Sequence, residues 1–455
     1  MNIIHHGGFN QVTGSCHEIL LSNHERYLID CGLAQGEDVT TDVDDEHFGI
    51  NFSLAGLNAV LITHCHLDHI GRLPYLFAAG YKGPVICTSA TAKLLPLVLA
   101  DAVKVGISRN PELVEAVLAR LGRQLQPVDY DHWLTLSDNC RIRFKNAGHI
   151  MGSAFIEMDT PTQRIVFSGD IGCKNTPLLP DPAPLEHADL LLLESTYGDR
   201  LHESREQRKQ RLKQIINRCI EDRGAVLIPA FSMGRTQELL YEFEQIWHEL
   251  ASAGHQHFPE IVVDSPLASE LTELYSELHE LWDEEAKQRL SNGRHPLSFE
   301  HCHVIRDHEQ HQALVNRLAS TAEPVIIIAA SGMCAGGRMV NYLKALLPDA
   351  RTDVLFVGFQ AQGTPGRDIQ QYGPTGGYVV LDGEKITIKA AIHTLGGYSA
   401  HADQAELLDF IGSANGAVKQ VRLIHGEPDA QAALAQKINA RFSIPVETAA
   451  GTLGG

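Results

Sequence analysis

No run of about 18 apolar residues occurs anywhere in the 455-residue chain, so no membrane-spanning helix is expected. The opening residues, Met1-Asn2-Ile3-Ile4-His5-His6-Gly7-Gly8, lack the basic and apolar regions of a signal peptide. His5-His6 is also too short to be a purification tag. None of the nine cysteines stands in a C-x-x-C pair, and their number is odd. Reduced thiols and a cytoplasmic location are the expectation. Positive charge is scarce: 37 Lys and Arg face 56 Asp and Glu, a net charge of −19. That excludes a protein that coats nucleic acid through a broadly basic surface. It leaves room for one local positive pocket made by bound metal and a few arginines. There is no internal repeat, and the only loose stretch is the glycine-rich tail after Ala449. What remains is an ordinary globular composition, 44% hydrophobic and 20% charged, long enough for two or more domains.

Thr63-His64-Cys65-His66-Leu67-Asp68-His69-Ile70-Gly71 is the richest stretch. Before it, Ala59-Val60-Leu61-Ile62 reads as a buried strand. After it, Leu73 to Ala79 reads as a short helix stopped by Gly80. His64 and His66, two apart at a strand end, point to one side; Asp68 and His69 follow on the turn. Three imidazoles and a carboxylate within six residues suit a borderline metal, zinc above all. A solvated polar loop would not be framed by a strand and a helix in this way.

The same grammar recurs. Tyr27-Leu28-Ile29-Asp30-Cys31-Gly32 is a strand ending in a carboxylate and a turn. Pro84 to Thr88 reads as a strand, Thr91 to Leu125 as helix-rich, and residues 36–52 as an acidic surface loop. Arg141 to Phe144 leads into Gly148-His149-Ile150-Met151-Gly152, which exposes one histidine between glycines. Arg164 to Phe167 leads into Ser168-Gly169-Asp170. Leu190 to Leu193 ends in Glu194, and Val421 to Ile424 ends in His425. Beyond Arg200 a charged helix, Glu203 to Glu221, precedes four strand-loop-helix units starting at Ala225, Ile261, Val325 and Val354. Strands alternating with helices imply a mostly parallel sheet. Near Tyr378 a hairpin marks the return of the first pattern.

The H-x-H-x-D-H stretch after an apolar strand resembles the metallo-β-lactamase signature. With Glu194-Ser-Thr-Tyr-Gly, Ser399-Ala-His401-Ala-Asp and Ile424-His425-Gly-Glu, the chain resembles the β-CASP branch of that superfamily, whose members include RNA-processing nucleases. Further stretches are similar to family sequence: Pro229 to Arg235, Asp264 to Ala268, Ser331 to Arg338 and Gly358 to Arg367. The resemblance spans nearly the whole chain. It implies an α/β architecture: a metallo-β-lactamase αββα sandwich split in sequence (residues 1–200 and 376–455), with a mostly parallel α/β β-CASP domain inserted at 201–375. The last part would carry the RNA-specificity motifs.

For the site, the resemblance implies two zinc ions per chain. His64, His66 and His149 would hold one; Asp68, His69 and His425 the other; Asp170 would bridge. Asp30 would support the metal-binding histidines, whose second ring nitrogen needs an acceptor. Glu194, His401 and His425 match motifs A, B and C, and a histidine at motif C goes with RNA. His401, oriented by Glu194, would act as general acid; Asp68 belongs to the catalytic set as well as to the metal set. Hydroxide activated between two metals would attack phosphorus in line, leaving 5′-phosphate and 3′-hydroxyl ends on single-stranded RNA. Endonucleolytic and 5′-to-3′ exonucleolytic cleavage both fit.

Ser331 and Gly332 open a glycine-rich turn before a helix, a phosphate-binding arrangement. Arg235, Arg338 and Arg367 flank such turns and are candidate phosphate contacts. The active site is expected in a cleft between the two domains. Cys173 stands where relatives often have arginine, a departure expected to alter substrate contacts; His5, His6 and His393 fall outside any shared motif. The rivals are a small-molecule metallohydrolase, which leaves the insert and the Glu194–His401 pair without a use, and a non-catalytic partner subunit, which would have lost metal ligands. Iron-binding redox relatives replace the second histidine by glutamate, and His66 is not replaced. No membrane partner is expected, and self-association is left open.

Overall fold

A computed structural model describes residues 1–34, 49–254, 257–395, 398 and 400–453. Most of the expected acidic loop at 36–52, and Ser399 of the motif around His401, lie outside the described residues. The chain divides into two compact units. The first comprises Met1–Lys174, Asp181–Leu201 and His401–Gly455; the second comprises Asn175–Pro180 and His202–Ala400.

The first unit is built on two sheets. One has six strands in sequence order, from Asn2–Gly7 to Leu125–Val128. The other has eight, ordered from Gly451–Leu453 through Val446–Thr448, Val421–Ile424, Leu190–Glu194, Arg164–Phe167, Ala154–Asp159 and Cys140–Asn146 to Trp133–Ser137. Alternate residues of both sheets meet face to face: Ile19, Tyr27, Ile29 and Leu61 from one pack with Phe144, Ile156, Phe167 and Leu192 from the other. The opposite face of the eight-stranded sheet (Phe155, Val166, Leu191, Leu193) packs on the helices Gln404–Ser413 and Pro428–Phe442 through Leu407, Ile411, Leu434 and Ile438. Strands covered on both faces read as continuous apolar runs, which is why Leu190-Leu191-Leu192-Leu193 shows no alternation.

The second unit carries a six-stranded, wholly parallel sheet ordered Cys302–Val304, Glu260–Asp264, Val325–Ala329, Ala225–Pro229, Asp353–Phe356 and Ala391–Thr394. The four expected strand-loop-helix units supply four of these strands. The unit extends past the expected boundary at 375. Ala391–Thr394 pairs with Asp353–Phe356 at the sheet edge, and the hairpin Tyr378–Leu381 and Glu384–Thr387 buries Val379 and Leu381 in this unit's core. The return to the first unit comes at His401. Sequence places a hairpin well and says little about which core its apolar face will find.

Candidate active site

Every residue expected to bind metal lies in the first unit, on a turn or short helix that follows a strand. Leu57–Leu61 delivers Thr63 and His64, and the short helix Leu67–Ile70 carries Asp68 and His69. The turns after Cys140–Asn146 and Arg164–Phe167 present His149 and Asp170. Glu194 closes the strand Leu190–Glu194, and His425 follows Val421–Ile424. His401, outside any named strand, is held by a bridge to Gly172.

The donor atoms fall into two sets around Asp170. Its Oδ2 lies 3.4 Å from His64 Nε2 and 3.5 Å from His149 Nε2, and His66 Nδ1 stands 3.1 Å from both of those nitrogens. Its Oδ1 lies 3.3 Å from His69 Nε2 and 3.5 Å from His425 Nε2, and Asp68 Oδ2 is 3.8 Å from each of these. In each set of four residues, one ligand atom per residue lies within 4.8 Å of the others. The seven expected ligands are thus brought together as two groups that share one carboxylate.

Three facts fit this arrangement to cations. First, His69 Nε2, His425 Nε2 and Asp170 Oδ1 are buried without a hydrogen bond, a cost that a bound cation removes. Second, the local field favours positive charge: burial opposes a proton on His69, yet Asp170, Asp30 and Asp68 pull its pKa well above the ordinary value. Third, two of the imidazoles are held neutral, as ligands must be; burial pushes His64 well below its usual value and His425 down to about 3. Asp170 is buried too, but the surrounding histidines hold its carboxyl well below the usual range. Burial pushes Asp68 up to about 6. All-nitrogen and carboxylate donors in sets of four suit zinc.

The supports of the ligands are local. Asp30, at φ +60°, accepts from the Thr63 amide and hydroxyl, both at 2.8 Å, and from His69 Nδ1 at 2.7 Å. This holds the His69 ring with Nε2 toward Asp170. Because the Thr63 hydroxyl donates to Asp30, it accepts from His64 Nδ1, 3.1 Å away, and the His64 Nε2 lone pair is left for a metal. Thr63 was not among the expected site residues; its place directly before the first histidine was the available signal. The Ser153 hydroxyl accepts from the His149 amide at 3.0 Å.

A third group joins Asp170, Glu194 and His401. Glu194 is fully buried. Its carboxylate accepts from the Ile171 amide at 2.7 Å and lies 3.1 and 3.2 Å from His401 Nδ1. Burial disfavours the imidazolium of His401, but Glu194 and Asp170 outweigh it and raise the pKa to about 9. The Cys173 thiol, 5% exposed, donates to the His401 carbonyl at 2.9 Å. It therefore braces the segment of His401.

The phosphate-contact candidates lie in the second unit, and two are engaged internally. Arg235 is 4% exposed; its guanidinium pairs with both Glu238 oxygens, at 2.5 and 2.8 Å, and donates to the Tyr398 carbonyl. Arg338 donates to Asp264 at 2.5 Å and to the carbonyls of Ile305 and Arg306. Asp264, wholly buried, also accepts from His311 Nδ1 at 2.6 Å and from the Tyr342 hydroxyl at 2.5 Å. Both arginines thus have internal carboxylate partners that compete with any phosphate. Position beside a glycine-rich turn did not show how many buried carboxylates would compete for them. Arg367 is exposed. Ser331 Oγ accepts from the Ala335 amide, and the Gly332 carbonyl from Gln360. Among the residues without a motif, His5 meets His17, His6 pairs with Glu18 and His393 with Asp353.

Comparison with known proteins agrees with this geometry. Residues 13–230 match the model of the metallo-beta-lactamase superfamily, 236–369 that of the Beta-Casp domain, and 385–449 that of the Zn-dependent metallo-hydrolase RNA specificity domain. The chain is 38% identical over 443 residues to Ribonuclease TTHA0252 of Thermus thermophilus, covering 97% of this chain and 96% of the relative. It is 30% identical over 432 residues to the transcription termination factor FttA of Methanocaldococcus jannaschii, covering 92% of this chain but 66% of that protein. It therefore spans about two thirds of that relative's length. A crystal structure of a protein of unknown function from Enterococcus faecalis shares the fold, with a TM-score of 0.53 at 13% identity, covering 94% of this chain and 95% of that one. With three successive domain models matched in this order and two donor sets meeting at Asp170, the chain belongs to the β-CASP branch of the metallo-β-lactamase superfamily.

Proposed function

We propose that this protein is a zinc-dependent ribonuclease that hydrolyses phosphodiester bonds of single-stranded RNA, leaving 5′-phosphate and 3′-hydroxyl ends. The observation that carries the reading is the sharing of Asp170 between two donor sets with the Glu194–His401 pair beside it. His64, His66 and His149 would hold one zinc ion and Asp68, His69 and His425 a second, with one oxygen of Asp170 for each. Bound there, the ions acidify a water and neutralise charge on the phosphate oxygens. Asp30 and Thr63 keep His69 and His64 in the tautomers that leave Nε2 unprotonated. Glu194 fixes His401 through Nδ1, so Nε2–H delivers the proton to the departing 3′ oxygen. A pKa raised to about 9 keeps that proton on the ring at neutral pH. Ser331, Gly332 and Arg367 remain the candidate phosphate contacts of the second unit.

The printed names of the relatives, a ribonuclease and a transcription termination factor, support RNA as the substrate class. A thioesterase or lactonase would leave the second unit without a use. The test is incubation of the purified protein with end-labelled single-stranded RNA and matched DNA, followed by sizing and end analysis. Cleavage of RNA to 5′-phosphate products, abolished by chelation and restored by zinc, is expected. Thioester or lactone turnover with intact RNA would reject the reading.

A further inference from the structure

His425 is the last expected ligand in the chain and the most constrained in backbone. It is a non-glycine residue at φ +48°, a conformation that persists only when its surroundings fix it. Its carbonyl accepts from the Ser195 amide at 3.1 Å and the Thr196 hydroxyl at 3.2 Å. Its amide donates to the Gly8 carbonyl at 2.7 Å. Its ring Nδ1 lies 2.9 Å from the hydroxyl of Ser15, a residue 2% exposed and 410 positions away in sequence. Gly8 lies against Ser15 so closely that a Cβ on it would stand 2.8 Å from the serine hydroxyl, and its φ of +72° also suits glycine. The segment from Gly8 to Ser15 thus reaches His425 at both backbone and ring, while His425 Nε2 stays buried without a hydrogen bond, 3.5 Å from Asp170 Oδ1.

We propose that Ser15 is a positioning residue for the second metal: its oxygen accepts the Nδ1–H of His425 and so turns an unprotonated Nε2 toward Asp68, His69 and Asp170. A neutral imidazole carries one proton. Were it on Nε2, a buried donor would point into the ligand set and no lone pair would remain there. A hydroxyl acceptor at Nδ1 removes that alternative, as acceptors behind metal-binding histidines generally do. The proposal rests on the reading of His425 as a ligand.

Zinc binding by the full chain, followed by equilibrium dialysis, tests it in Ser15→Ala, Ser15→Cys, His425→Ala and the Ser15→Ala/His425→Ala double variant. Ser15→Ala is expected to weaken one of two ions by about 10–100-fold and leave the other unchanged, which also shows that the variant folds. Ser15→Cys, with a weaker acceptor on a slightly larger side chain, is expected to fall between. In the double variant the remaining ion should bind as it does in His425→Ala, because the serine then has no ring to orient. Two unchanged ions in Ser15→Ala, with one lost in His425→Ala, would overturn the role of Ser15 alone. Two unchanged ions in His425→Ala would overturn the ligand reading beneath it. Loss of both ions in Ser15→Ala, or weaker binding of the remaining ion in the double variant, would make Ser15 a general support of the fold and overturn the proposal.

Discussion

Asp170 and His401 carry the most distinct expectations at the scale of single residues. Asp170 offers one oxygen to each donor set, so Asp170→Ala should deplete both ions together. Metal analysis is expected to find close to two zinc ions in the parent protein and well under one in the variant; two retained ions would rule out sharing. His401→Ala should keep its metal and its fold but lose about 10²–10⁴-fold in cleavage rate. A nitrophenyl phosphodiester, whose leaving group needs little protonation, should lose far less; equal losses would mean that His401 does not donate the proton. The direction with pH follows from the raised value. A histidine lifted from 6.5 to about 9 is charged below that point and neutral above it. Cleavage by the parent protein should therefore fall as pH rises through the region of 9, and His401→Ala should lack that alkaline limb.

At the scale of elements, the parallel sheet of the second unit is tied by a buried polar network. Asp264, at the end of Glu260–Asp264, receives Arg338 and Tyr342 from the helix Arg338–Leu346 and His311 from the helix His308–Ser320. Asn341 in turn meets His311 Nε2 at 2.8 Å. Removing one partner of such a buried charge pair leaves the other uncompensated, typically at a cost of about 3–5 kcal/mol. Arg338→Ala should accordingly lower the melting temperature, with zinc content and cleavage per folded molecule retained. A variant of normal stability with weakened RNA binding would return Arg338 to the phosphate contacts. The sequence displayed every member of this network as an isolated polar residue. Only the parallel strand order brings Asp264 beside both helices.

The whole molecule is acidic, with a net charge of −19. RNA binding should therefore be carried by few contacts and show a shallow salt dependence, each phosphate contact adding roughly 0.7 to the slope for a single strand. Arg367→Ala should reduce that slope, whereas Arg235→Ala, whose guanidinium is committed to Glu238, should leave it unchanged in the folded fraction. No helix among the described residues is long and apolar enough to cross a membrane. All the metal candidates belong to the first unit, so chelation should remove stabilisation there. Hydrogen exchange is expected to show protection lost in the strand ends around His64, Asp170 and His425 and retained in Val325–Ala329. Equal loss in both units would contradict that confinement.

The sequence by itself determined the candidate ligand types, their order and their placement after strands, because each motif is local: an apolar strand followed by a carboxylate or histidine is legible within ten residues or so. It also determined the alternation of strands and helices in the second unit. The tertiary structure alone decided which residues stand behind the candidate site residues. Ser15 meets His425 across 410 positions, and Cys173 braces His401 across 228; no local pattern encodes such a pairing. It likewise placed Arg235 against Glu238 and Arg338 against Asp264, since a guanidinium finds its partner through burial and the nearest uncompensated carboxylate. The boundary at 400 was settled the same way, because a hairpin with one apolar face joins whichever core lies beside it. Local chemistry is written along the chain, whereas desolvation and pairing exist only once distant segments have excluded water from one another.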